Sequence, residues 1–218
     1  MFITQIIATE MNVQQAYNIW ADQYDTNDNK TRDLEAISLK ESLANITFNN
    51  CLEIGCGTGK NTEWLITKAT HITAVDLSDE MLAKAKSKIN ADTIEFHKAD
   101  ITQEWEFINK QYDLATFSLV LEHIEDLDPI FKKLSTAIIS GGHVYIGELH
   151  PFKQYGGSKA RFDTDNGQQI VTCYNHHISD FTDAATNNGF AIVSIKEYFD
   201  DNDRKNIPRI LTILLQKI

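Results

Sequence analysis

Cysteine and proline are both scarce, with three of each in 218 residues. Cys51, Cys56 and Cys173 are too few and too scattered for a disulfide framework, and their spacing matches no paired zinc motif. A reducing compartment, the cytoplasm, is therefore expected. No Pro-, Gly- or Ser-rich linker divides the chain, so residues 1–218 read as a single domain. There is no solenoid repeat and no window near the roughly 20 apolar residues of a membrane span. The opening, Met1 to Ile7, lacks the basic region and long apolar stretch of a signal peptide. Positive charge is also short: 20 Lys+Arg stand against 31 Asp+Glu, and the net charge of −11 is spread over both halves. That balance disfavours binding nucleic acid through phosphate neutralisation. What the chain does have is 42% hydrophobic residues, enough for a substantial core.

Residues 12–45 read as helical, with a polar break at Asp25–Asn29. Asn50–Ile54 is a short apolar run ending in a glycine cluster, the pattern of a strand and a sharp turn. Further strands are expected at 72–75, 93–96, 113–118 and 143–147, with helices at 60–68, from Ser78 onward, and from Asp128-Pro129 to about Ile139. Ser78 caps its helix, and Asp128 is read as a cap followed by Pro at the first helical position. A helix at 179–188 and strands near 190–198 and 209–216 close the chain. This alternation predicts an α/β fold: a doubly wound, mostly parallel seven-stranded sheet with helices on both faces. Residues 1–45 form an N-terminal helical cap, 46–149 a ligand-binding core and 176–218 the last part of the sheet. Residues 150–175 break the rhythm just after a strand end, where such sheets bind ligands, and are expected to be an irregular cover for the substrate site.

Leu52-Glu53-Ile54-Gly55-Cys56-Gly57-Thr58-Gly59-Lys60-Asn61 carries the chemistry. Three glycines let the backbone turn tightly and let a ligand approach, and the next helix aims free N–H groups at it. A dinucleotide loop would need its third glycine at position 60, which is Lys60. A P-loop would need Gly at 54 and Ser or Thr at 61, where Ile54 and Asn61 stand. The G-x-G-x-G pattern resembles the first motif of class I S-adenosylmethionine-dependent methyltransferases of the small-molecule, type 11/25-like kind.

The resemblance runs over about residues 45–150 and implies a Rossmann-like fold, S-adenosyl-L-methionine as cofactor and its demethylated form, S-adenosyl-L-homocysteine, as product. It makes Glu53, Gly55, Cys56 and Gly57 cofactor contacts. Asp76, at the end of the second strand, becomes the ribose ligand, with Leu77 and Met81 beside the adenine, though Met81 reads equally as core. Asp100 and Ile101, at the end of the third strand, would meet the adenine edge and ring. Ser118, or Leu119 beside it, would offer backbone to the methionine end. Tyr24 lies in Ala16–Asp25, which looks like the helix that closes over the cofactor; Tyr17, Trp20 and Tyr24 share one face there, as core residues also would.

Methyl transfer from a sulfonium is an in-line displacement that needs alignment and exclusion of water more than acid–base groups. No metal motif is present. A base is needed only if the acceptor loses a proton as it attacks. His150, after the fifth strand, is the candidate by position. His123 is read as structural, and His176-His177 as loop residues. After the fourth strand, Ser118-Leu119-Val120-Leu121 stands where enzymes acting on flipped bases or amide nitrogens carry an Asn/Asp-Pro-Pro-Tyr/Phe motif. A small organic acceptor, neither nucleic acid nor membrane, is therefore expected. A non-catalytic cofactor-binding module and a protein methyltransferase are the alternatives.

Overall fold

The computed structural model describes residues 10–165 and 167–218; the expectation about Met1 to Ile7 lies outside them. The described chain opens with β1 (Glu10–Met11), α1 (Val13–Trp20) and α2 (Lys30–Leu43). The Asn12 side chain accepts from Gln14 N at 3.0 Å and the Asn29 side chain from Arg32 N at 3.0 Å, so each helix starts at an Asn cap on either side of the polar break. There follow β2 (Asn50–Ile54), α3 (Thr62–Leu65), β3 (His71–Asp76), α4 (Asp79–Lys88), β4 (Ile94–Lys98), β5 (Tyr112–Ser118), α5 (Asp128–Ala137) and β6 (Ile138–Leu149). The chain then runs through α6 (Pro151–Tyr155), β7 (Arg161–Thr164), β8 (Gly167–Val171), α7 (Ile178–Asn187), β9 (Phe190–Tyr198) and β10 (Ile210–Lys217).

Seven strands form the main sheet in the order β4-β3-β2-β5-β6-β10-β9. The first five positions are parallel, and β10 is antiparallel to both of its neighbours. Because side chains alternate across a strand, β2 sends Leu52 and Ile54 into the cluster under α5 and α7, and Cys51 into the cluster under α2 and α3. Both faces are covered, which is why the central strands read as continuous apolar runs. The chain winds outward from β2 to β4 and then returns to β5, so a crevice opens at the carboxyl ends of β2 and β5.

Several sequence expectations shift. Regular helix at 60–68 shrinks to Thr62–Leu65, because Thr67 N turns to Trp64 O (3.0 Å) and tightens the end. Asp128 is the first residue of α5 rather than its cap: Leu127 holds the cap position, and the Asp126 carboxylate takes Asp128 N at 3.1 Å. The strand β6 starts at Ile138 and passes through Gly141-Gly142. Residues 150–175 are not irregular. They form α6 and the β7–β8 hairpin, to which β1 adds in parallel at Ile170 and Val171. Among the described residues no helix is long and apolar enough to cross a membrane.

Candidate functional site

The loops after β2, β3, β4 and β5 converge on one cavity of about 250 Å³. Gly55 and Gly57 come from the first loop, Asp76, Leu77 and Ser78 from the second, Asp100, Ile101 and Thr102 from the third, and Ser118, Leu119 and Val120 from the fourth. Gly55 holds φ +74, and a Cβ there would stand 2.2 Å from Val120 Cγ2, so only glycine lets the two loops touch. A Cβ on Gly57 would meet nothing within 4 Å.

Backbone donors and buried carboxylates hold the loops. Asp76 accepts from Gly57 N (2.8 Å) through one oxygen and from Ser78 N (2.8 Å) through the other. Burial raises its pKa against the lowering effect of these bonds. The buried Glu148 accepts from Val120 N (3.0 Å) and Leu121 N (2.8 Å), pinning the turn in which Leu119 adopts φ +58. Burial, with Glu122 behind it, pushes the Glu148 carboxyl up to about 8. Burial likewise pushes Glu53 to about 8, although Thr62 donates to it at 2.7 Å. Glu35 accepts from Tyr145 (2.9 Å) and Asn61 (2.9 Å), and Asn61 also donates to Ser118 Oγ (3.1 Å).

Of the cofactor residues expected from the sequence, Tyr24, Gly55, Gly57, Asp76, Leu77, Met81, Asp100, Ile101 and Ser118 line this cavity. Glu53 and Cys56 line a smaller one beside it, of about 40 Å³, together with Arg32, Glu35, Lys60 and Asn61; Gly55, Gly57, Tyr24 and Ser118 belong to both. Asp100 also holds its own turn, accepting from Thr102 N (2.9 Å) and Thr102 Oγ1 (2.7 Å).

The opposite wall comes from α1, which the β7–β8 hairpin backs through Phe162. Trp20 stacks on Phe162 at 5.0 Å and on Tyr17 at 5.6 Å, and Met81 joins the same cluster. Gln14 Nε2 donates to Leu77 O (3.2 Å) and Ser78 Oγ to Asn18 Oδ1 (2.6 Å), tying the cover to the loop after β3. Tyr17 and Gln14 line the cavity.

His150 does not line either cavity, which corrects its reading as the base. Pro151 starts α6 directly after it, and the free N–H of Phe152 needs an acceptor. His150 Nδ1 supplies it at 3.2 Å, and Nε2 faces Glu197 at 3.2 Å, with the ring 1% exposed. His176 bonds Ile124 O (2.8 Å) and His177 bonds the Tyr155 hydroxyl (2.6 Å). The histidine on the cavity wall is His123, with Nε2 2.9 Å from the Tyr17 hydroxyl and Nδ1 2.8 Å from Thr172 O. Donor atoms of Glu122, His123 and Cys173 lie within 4.8 Å of one another. Sequence order hid this arrangement: Tyr17, His123 and Thr172 belong to three distant segments, and only the motif position of His123 marked it at all.

Residues 52–146 match the family described as "Methyltransferase domain". An uncharacterized methyltransferase of Emericella nidulans is 28% identical over 83% of this chain and 76% of its own length. The malonyl-[acyl-carrier protein] O-methyltransferase of Priestia megaterium is 30% identical over 75% of this chain, which spans only 56% of that relative. Among solved structures, a DhpI-SAM-HEP complex superposes with a TM-score of 0.74 at 22% identity, over 96% of this chain and 100% of the other. The N-methyltransferase NodS from Bradyrhizobium japonicum, in complex with S-adenosyl-L-homocysteine, gives 0.69 at 20%, over 95% and 99%. At these identities the two structures establish the fold.

Proposed function

We propose that this chain, whose residues 52–146 match the methyltransferase-domain family, transfers the methyl group of S-adenosylmethionine to a small organic acceptor. The observation that carries the reading is the convergence of four strand-end loops, two of them bearing Asp76 and Asp100, on one cavity beneath an aromatic cover. The residues fit the cofactor: the Gly57 position is open to the cavity, Asp76 ends β3 where a ribose would lie, and apolar Leu77, Met81 and Ile101 frame a flat ring. The bound cofactor supplies a methyl on a cationic sulfur that leaves as a neutral thioether.

The chain's own part is placement and exclusion of water. Asp76, Asp100 and the glycine loop fix the cofactor, and Ser118 and Leu119, on the turn pinned by Glu148, stand beside the reacting end. Tyr17 closes the opposite side, backed by Trp20 and Phe162 stacked behind it, so that an acceptor is held in line and dry. Calorimetry of the purified chain with S-adenosylmethionine tests the first half, and absence of binding by folded protein sinks it. Incubation of labelled cofactor with a cell extract tests the second. Label in small molecules is expected; label confined to protein would assign the acceptor to a protein instead.

A further inference from the structure

The cavity wall holds a proton acceptor that methyl donation alone does not use. His123 Nδ1 lies 2.8 Å from the Thr172 carbonyl, a group that only accepts, so Nδ1 carries a proton, and in the neutral ring the lone pair sits on Nε2. Nε2 faces the cavity and takes the Tyr17 hydroxyl at 2.9 Å. The groups around the ring are Tyr17 on α1, Cys173 Sγ at 3.7 Å, the adjacent Glu122, and Asp76 at the end of β3. Burial drives the Tyr17 hydroxyl well above its ordinary pKa, so it stays protonated and can donate to Nε2.

Charge narrows the acceptor. Asp76 and Asp100 line the main cavity, and no lysine or arginine does among the described residues; residues 1–9 contain none. The cations beside it are engaged: Arg32 and Lys60 line the smaller cavity, where Arg32 donates to the Tyr24 and Asn27 carbonyls and Lys60 pairs with Asp33, and Lys133, behind the main wall, donates to the Ile101, Thr102 and Gln103 carbonyls. A carboxylate or phosphonate acceptor would enter this wall without a partner for its charge.

We infer that the acceptor is an uncharged hydroxyl compound and that His123 Nε2 takes its proton. The inference rests on the methyl-transfer reading above. The acceptor oxygen forms its bond to the methyl carbon as the carbon–sulfur bond breaks and leaves its electron pair on sulfur. The hydroxyl proton passes to Nε2, giving a neutral thioether, a methyl ether and an imidazolium that returns its proton to water. The Tyr17 hydroxyl occupies Nε2 until the acceptor hydroxyl replaces it, and the Thr172 carbonyl keeps the ring turned.

Two measurements on the full chain test this. Nuclear magnetic resonance of isotope-labelled histidine, assigned with His123→Asn, should show a neutral Nδ1–H ring in the S-adenosylhomocysteine complex. Exchange for cationic S-adenosylmethionine should shift the Nε2 signal. A ring protonated at Nε2, or one unaffected by the exchange, overturns the inference. The second measurement follows S-adenosylhomocysteine release with phenol, benzoate and phenylphosphonate as matched probes. Release with phenol is expected, falling about 100-fold or more in His123→Asn while calorimetric affinity for S-adenosylhomocysteine is unchanged. Release with the anionic probes alone, or full turnover by His123→Asn, overturns it; where none of the probes turns over, the ring signals decide. Failure of the unmodified chain to bind S-adenosylmethionine is a different result and defeats the methyl-transfer reading itself.

Discussion

The two walls of the cavity are built by different means. The strand-end wall is held by hydrogen bonds, mostly to backbone groups: Gly57 and Ser78 on Asp76, Val120 and Leu121 on Glu148, and Gly55 N on Val75 O at 2.7 Å. The cover is held chiefly by stacked rings from segments far apart in the chain, Tyr17 and Trp20 against Phe162, with a few side-chain tethers such as Gln23 Nε2 to Asp163 O at 2.8 Å. Backbone hydrogen bonds fix positions to a fraction of an ångström, whereas stacked rings tolerate sliding. One wall is thus suited to an invariant ligand and the other to admitting and enclosing a variable one.

The largest effect should come from Gly55→Ala, on the rigid wall. Left-handed backbone costs about 1–2 kcal/mol for a residue with a Cβ, and the 2.2 Å approach to the branched Val120 adds about 1–3 kcal/mol. Loss of calorimetric cofactor binding with a lowered unfolding midpoint is expected; an unchanged affinity would break the contrast. Phe162→Ala comes next, at about 3 kcal/mol for a buried ring. Faster hydrogen exchange confined to residues 10–24 and 160–172 is expected, with exchange in β2 to β5 unchanged. Asp76→Ala removes the partner of two loop donors and should weaken cofactor binding by about 2 kcal/mol, roughly 30-fold, with little change in cover exchange.

The last effect concerns pH. The Glu148 carboxyl is raised from 4.5 to about 8 by burial, so between those values the folded chain binds more protons than the unfolded one. Its contribution to stability is complete below 4.5 and is lost as pH rises through about 8. Glu148→Gln should therefore flatten the decline of the unfolding midpoint across that window; an unaltered slope in the variant would place the titration elsewhere.

Legibility in the sequence follows the same divide. The glycine loop, Asp76, Asp100 and the Ser78 cap could be read because each works within a few residues of a strand end, where local backbone geometry dictates residue type. Met81 could be placed as cavity or core, and it serves in both, since its side chain reaches the cavity and packs in the cover cluster. His150 misled because nearness to a strand end does not say which way a ring points; the first turn of α6 claimed it. The hairpin at 161–171 was invisible as such, since its strands are short and its apolar face finds its partners in distant segments, on α1 and at Met81.

By itself, then, the sequence determined the mostly parallel α/β fold and the residue types of the loops at its strand ends, because apolar alternation, glycine and caps act over short stretches of chain. Which histidine faces the cavity, what charge its wall carries and how the cover docks were decided only in three dimensions. Those properties depend on side chains from α1, the turn after β5 and the segment after β8 meeting at one point, and no short-range rule encodes such a meeting.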